Sequence, residues 1–237
     1  KQLELIDNHY IVNGFNHPEM PVISSENPEK IEKYFWGFVP GHIRSKEQAD
    51  QFIEKYNTLN ARGENIFQSR LYKNSIKTKR CLVLCSGFFE WRHKTINKKT
   101  VKYPFYIALK NDEMFVFGGI WDSFTDHATG QEYHTYSVIT TQANKLLAVI
   151  HNSKKRMPLI IKPEQAKKWL DPELPQEDIK ALISPITSGK LKAWPVAKIN
   201  PFRIEKFNKP GVSAYYHYPE LSDLLDSNLF EETGDFR

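Results

Sequence analysis

The sequence predicts a single α+β domain with a curved, barrel-like, mainly antiparallel β core and peripheral helices. Three observations carry that prediction. Short apolar runs rich in aromatic and β-branched residues dominate the chain, as strands do. Turn-forming residues separate them: Asn97 with its lysines, Asn111-Asp112, and Asp126 to Gly130. No Gly/Ser/Pro-rich linker divides the 237 residues, and a chain that is 40% hydrophobic and 13% aromatic can bury one sizeable core.

The runs His9–Phe15, Tyr34–Val39, Arg80–Cys85, Gly87–His93, Tyr103–Leu109, Met114–Trp121, Tyr133–Thr141 and Pro158–Ile161 read as strands. Helices are fewer. Ser45 opens one, with Gln48 three residues on as in a capping box, and Ala49, Phe52 and Tyr56 on its apolar side. Ala143–Ile150 is a short apolar helix ending at His151. Pro163–Leu170 and Pro175–Ile183 each open on a proline, which the first helical turn tolerates. Residues 1–219 form the domain, and residues 220–237 form an acidic C-terminal tail that opens with a short helix.

Composition excludes several classes. Charged residues make up 26% with no low-complexity run, which argues against disorder, coiled coils and repeat arrays. No apolar run approaches the roughly 20 residues that span a bilayer, and Tyr10–Phe15 is too short for a secretory leader. No membrane partner is expected. The net charge of +5 is uneven, because the tail concentrates acids and leaves a body of +10. A basic body fits either a polyanionic partner such as nucleic acid or an ordinary solvated surface. Two cysteines, Cys81 and Cys85, are too few for a disulfide framework. At i and i+4 on a strand they lie too far apart to bridge. A reducing, cytoplasmic location is the expectation.

Four clusters concentrate chemistry: Trp36-Gly37-Phe38-Val39-Pro40-Gly41, Asn60-Ala61-Arg62-Gly63-Glu64, the stretch Cys81 to Trp91, and His151 to Pro158 preceded by Thr140-Thr141-Gln142-Ala143-Asn144. In a strand, Phe88, Glu90 and Arg92 share a face. Glu90 is therefore either an edge-strand carboxylate paired with Arg92 or a desolvated acid–base group of raised pKa. His151 is either a helix C-terminal cap or a proton carrier. Asn60 and Arg62 fall in a loop after the Ser45 helix. They supply turn chemistry and a surface ion pair, or an amine contact and a bidentate phosphate grip. Lys154, Lys155 and Arg156 beside His151 supply phosphate contacts or coat a loop. Cys81 and Cys85, in an apolar run, read as buried inert thiols. The CxxxC spacing has no matching second pair, and Gly118-Gly119 lies in a strand pattern, so no metal or cofactor is expected.

In this order the blocks WGxxP, NARxE, CxxxxxGFFEW, TTxAN and H…RMP resemble the SRAP (SOS response-associated peptidase) family, from about Tyr10 to about Tyr216. The resemblance implies a compact fold with a barrel-like core. It also implies a basic cleft for single-stranded DNA, or for single/double-strand junctions, carrying abasic sites. An N-terminal cysteine would form a thiazolidine with the ring-opened abasic sugar, and autoproteolytic or peptidase activity would accompany it. That cysteine is expected upstream of Lys1. By the same resemblance, Asn60 sits at the cysteine amine, Arg62 at a DNA phosphate and Glu90 at the reacting amine and aldehyde. His151 assists sugar ring opening and resolution of the cross-link. Thr140 lines the site, and Trp36 and Pro40 shape its DNA-facing wall. A monomer is expected. The alternatives are a thiol peptidase acting on its own N-terminus or on proteins, and a non-catalytic DNA-binding module of the same fold.

Overall fold

A computed structural model describes residues 9–111 and 114–227. Lys1, the Asp112 half of the Asn111-Asp112 turn and tail residues 228–237 lie outside the described residues. The strands are Glu19–Ser24 (β1), Glu32–Trp36 (β2), Asn60–Arg62 (β3), Arg80–Cys85 (β4), Phe88–Ile96 (β5), Lys99–Leu109 (β6), Phe115–Thr125 (β7), Glu132–Gln142 (β8), Arg156–Pro158 (β9), Ile160–Ile161 (β10) and Leu191–Pro195 (β11). The helices are Lys46–Lys55 (α1), Ser75–Thr78 (α2), Lys145–Ile150 (α3), Pro163–Leu170 (α4), Gln176–Leu182 (α5) and Ser222–Leu225 (α6).

Five strands close into a barrel in the order β7-β4-β1-β2-β8, with β8 returning to β7. Most pairs are antiparallel, while β2 and β3 each run parallel to β8. Every barrel strand contributes to one buried cluster: Val22, Tyr34, Cys81, Val83, Trp121, Tyr136 and Val138. A separate three-stranded sheet, β11-β6-β5, is built on a long hairpin. Ile96 pairs with Lys99, so Asn97 and Lys98 form a two-residue turn with φ of 48° and 64°, the geometry that suits hairpin twist. One face of this sheet packs Tyr103, Phe105, Ile107, Leu191 and Ala193 against Leu146, Leu147 and Ile150 of α3. Its other face packs Phe89, Tyr106 and Trp194 against Ile11, Val196 and Ile199.

Helix α1 starts as its sequence predicts, with the Ser45 hydroxyl accepting from the Gln48 amide at 3.1 Å. The Gln48 side chain reaches back to the amide of Arg44, one residue ahead of the capping-box partner. The run His9–Phe15 is not a strand. Asn13 instead accepts from the Phe15 amide and caps a 3-10 turn, Gly14–Asn16. Asn60–Arg62, read as a loop, is a strand because β8 offers it a parallel edge. Strand β2 stops at Trp36 because Gly37 takes φ of +138°. A Cβ there would lie 2.4 Å from His17 Nδ1, which bonds the Trp36 carbonyl. Gly37→Ala should therefore cost about 1–3 kcal/mol, read as a lower urea midpoint.

Candidate active site

Glu90 on β5 and His151 at the C-terminal end of α3 meet. Glu90 sits on β5, an edge strand, and its carboxylate Oε1 lies 3.4 Å from His151 Nδ1. Two contacts dock the α3 end onto β5. Arg92 donates to the Val149 carbonyl in the last turn of α3. The Asn152 side chain pairs with the His93 backbone in both directions, accepting from its amide at 2.9 Å and donating to its carbonyl at 2.8 Å. Asn152 thus acts as a one-residue strand partner, and His151 beside it is held over Glu90. Arg92 is spent on α3, and Glu90 faces the histidine.

The two groups are pushed toward neutrality from opposite sides. Burial raises the Glu90 carboxyl to about 7, against the Trp91 amide and the Lys154 charge, which favour ionisation. Burial also lowers the His151 imidazole. The Arg156 carbonyl opposes this, and the charges of Lys154, His93 and Arg156 add to it. A carbonyl can only accept, so the 3.0 Å contact from His151 Nδ1 to the Arg156 oxygen places the proton on Nδ1 and leaves Nε2 as an acceptor. A carboxyl titrating near neutrality can give or take a proton there, and the uncharged imidazole beside it offers a free acceptor nitrogen.

Arg156 links this pair to the other predicted residues. Its backbone holds His151, while its guanidinium bonds the Thr140 hydroxyl and carbonyl and grips both oxygens of Glu64 at 3.0 and 2.9 Å. Burial would raise the Glu64 carboxyl, but the Arg156 bonds, its own backbone and the charges of Arg156 and Arg62 hold it below the ordinary value. The Arg156 side chain, read from sequence as a phosphate contact, is committed within the chain. Thr140 in turn lies against the Ala61 carbonyl, between Asn60 and Arg62. Asn60 and Arg62 are both exposed on β3, with Ala61 buried between them.

Trp36 donates its indole N–H to the Leu59 carbonyl at 2.9 Å, one residue before Asn60. Pro40 is buried, at the head of a turn whose Gly41 amide is held by Asp122. Lys154 and Lys155 are exposed. Cys81 is fully buried, and burial pushes both its thiol and that of Cys85 up. Among the described residues, no group of three or more His, Cys, Asp or Glu side chains could hold a metal, and no helix is long and apolar enough to cross a membrane. Glu64 and Asn152 were not picked out as site residues. Glu64 stood inside the NARxE block, a usable signal. Asn152 had none, because its partner lies 59 residues away.

A closed mixed barrel with a flanking sheet, joined by a network from β3 to His151, defines a class that comparison identifies. The model of the SOS response associated peptidase (SRAP) family matches residues 6–200, and the chain belongs to that family. It is 28% identical over 200 residues to the abasic site processing protein YoqW of Bacillus subtilis, spanning 80% of this chain and 84% of that protein. It is 30% identical over 171 residues to the abasic site processing protein HMCES of Xenopus tropicalis, spanning 64% of this chain and 48% of that one. An X-ray structure of a protein from Bacteroides thetaiotaomicron matches with a TM-score of 0.78 at 35% identity, covering 90% of this chain and 88% of that one.

Proposed function

We propose that this protein processes abasic sites in DNA by forming a covalent cross-link. It would bind single-stranded DNA or single/double-strand junctions and react through an N-terminal cysteine of the full-length protein, outside the present sequence. The observation that carries this reading is the Glu90–His151 contact, a carboxyl and an imidazole both pushed by burial toward their uncharged forms, within a family whose relatives bear the abasic-site name.

The reaction sets the requirements. Ring opening of the abasic sugar breaks the C1′–O4′ bond, moves the C1′ hydroxyl proton to the ring oxygen and leaves an aldehyde, and His151 Nε2 is assigned to carry that proton. The neutral α-amine, held by Asn60, adds to the aldehyde carbon, and the carbinolamine then loses water to give an imine. Protonated Glu90 supplies the proton for the departing hydroxyl. The cysteine sulfur adds to the imine carbon and closes a five-membered thiazolidine, so that one aldehyde and one aminothiol yield the ring and one water. Amine and thiol must belong to one residue with a free N-terminus. Cys81 and Cys85, with amide nitrogens and buried sulfurs, do not meet that condition. Arg62, exposed beside Asn60, is assigned to a DNA phosphate, and Lys154 and Lys155 to further phosphates. Arg156 is assigned a positioning role.

Incubating the full-length protein with single-stranded DNA carrying one abasic site tests the reading. A heat-stable adduct that disappears when the N-terminal cysteine is replaced by Ala is expected. No adduct, or one that survives that replacement, overturns it. Arg62→Ala should weaken binding to DNA of any sequence and reduce the slope of log affinity against log salt by about 0.7, the share of one phosphate contact on a single strand. An unchanged slope would remove Arg62 from the phosphate contacts. The associated peptidase activity is read on the same site. Mass spectrometry of the mature N-terminus tests it, because a chain starting at cysteine after simple Met removal leaves self-cleavage without support.

A further inference from the structure

The C-terminal segment beyond the family match holds exposed aromatic and basic residues that the proposed reaction does not use. The match ends at residue 200. The next six residues, Pro201–Lys206, form a 3-10 element capped by Asn200, whose side chain accepts from the Phe202 amide at 2.9 Å. Phe202 is 93% exposed, the most exposed of the large hydrophobic residues in the described chain. A second turn is built in the same way at the other end of the chain: Asn13 caps Gly14–Asn16, and Phe15 is 70% exposed. The Asn13 side chain also donates to the Pro201 carbonyl at 3.0 Å, so the two turns are tied together.

Both turns rest on rigid parts. Gly14 lies against the Trp36 indole, where a Cβ would sit 3.1 Å from the ring, and Trp36 bonds the residue ahead of Asn60. The C-terminal segment packs Ile204, Phe207 and Val212 onto the outer face of the three-stranded sheet, and the Asn208 side chain accepts from the Tyr10 amide at 2.8 Å. Two phenylalanines are thus held outward on Asn-capped turns, with no apolar neighbour burying them. The same segment exposes Lys198, Arg203, Lys206 and Lys209 against a single acid, Glu205. Among the described residues none of the four cations forms an ion pair.

We infer that Phe15 and Phe202, with the cations of residues 198–209, form a base-stacking platform that holds single-stranded DNA as it continues from the Asn60–Arg62 edge. Exposed rings flanked by unpaired cations match a single strand, which offers both a base face and a phosphate at every step. The inference rests on the abasic-site reading for the direction of the strand, but the platform acts on intact bases.

The test uses fluorescence anisotropy of the full-length protein with an oligothymidylate 20-mer free of abasic sites. Phe15→Ser/Phe202→Ser, at exposed positions, should lower affinity on the order of a hundredfold, about tenfold per ring, with thermal stability kept. A 20-mer of tetrahydrofuran sugar phosphates, which have no base and no C1′ hydroxyl and so cannot open to an aldehyde, should bind the wild type and the double variant alike. Lys206→Glu/Lys209→Glu should reduce the salt slope by at least about 1.4. Loss of less than twofold in the phenylalanine variant overturns the platform, as does equal loss on the base-free strand. Adduct formation by the unaltered protein on abasic DNA reports separately on the Glu90–His151 site, so either reading can fail while the other stands.

Discussion

Glu90→Gln should slow adduct formation by about 10²–10³-fold while affinity for intact single-stranded DNA stays within about twofold. Gln keeps the shape and the accepting oxygen but cannot carry the proton that the proposed reaction passes between the carbinolamine and its leaving water. The pH profile separates this from simple damage. With its carboxyl raised to about 7, the wild type should show a rate limb near pH 7, and the Gln variant should lose it. A limb that persists in the variant would belong to another group. Stability supplies an independent sign. Folding raises the Glu90 value, so the native state binds this proton more tightly than the unfolded chain. The group's stabilisation is complete below the ordinary carboxylate range and is lost as pH rises through about 7. Gln does not titrate, so the stability of the variant relative to wild type should climb between pH 5 and pH 8. A constant difference across that window would mean that Glu90 is not desolvated as the structure places it.

The largest effect on stability is expected at Arg80. This side chain is completely buried on β4 and donates to four main-chain carbonyls, Trp169 at 2.7 Å, Ile76 at 2.9 Å, and Lys77 and Asp171. Trp169 answers by donating its indole N–H to the Cys81 carbonyl at 2.9 Å. Together they bolt α4 and the end of α2 to the barrel. Arg80→Met fills a similar volume but strands the carbonyls, each worth about 1–3 kcal/mol when buried without a donor. Partial relaxation and water entry make a total of about 3–5 kcal/mol the expected loss in urea unfolding. Arg80→Lys should recover only part of it, since one ammonium cannot serve partners on two elements. A loss under about 1 kcal/mol would show that the carbonyls find other donors.

The elements legible in the sequence are those whose stabilising contacts are local or densely apolar. Strand β4 coincides with its predicted bounds, and the β5–β6 turn falls on Asn97-Lys98, since a φ-positive pair announces itself. Strand β1 escaped notice because Pro21 interrupts its pattern, and β3 because three residues carry no period. The run at His9–Phe15 misled for the opposite reason: it has strand composition, but Asn13 and Gly14 bend it into a turn. Barrel closure is a long-range fact, fixed by β8 pairing with β2 and β7, and no local pattern encodes it. Within the candidate site, the sequence singles out Glu90 and His151, but their contact depends on Asn152 and Arg92 docking two elements. Arg156 stands out in the sequence as a cation, but a cation in sequence does not show whether Glu64 will claim it.

Strand β8 touches β2, β3, β7 and β9, so four pairings share its register. An inserted or deleted residue there would exchange half-buried Thr140 for buried Thr141 and misalign all four neighbours at once. The stretch from Asn152 to Lys155 has no ladder to respect beyond the Asn152 anchor. Descendants of this chain can therefore gain or lose length beside the histidine far more freely than beside the threonine, and lineages should diverge in gap placement accordingly.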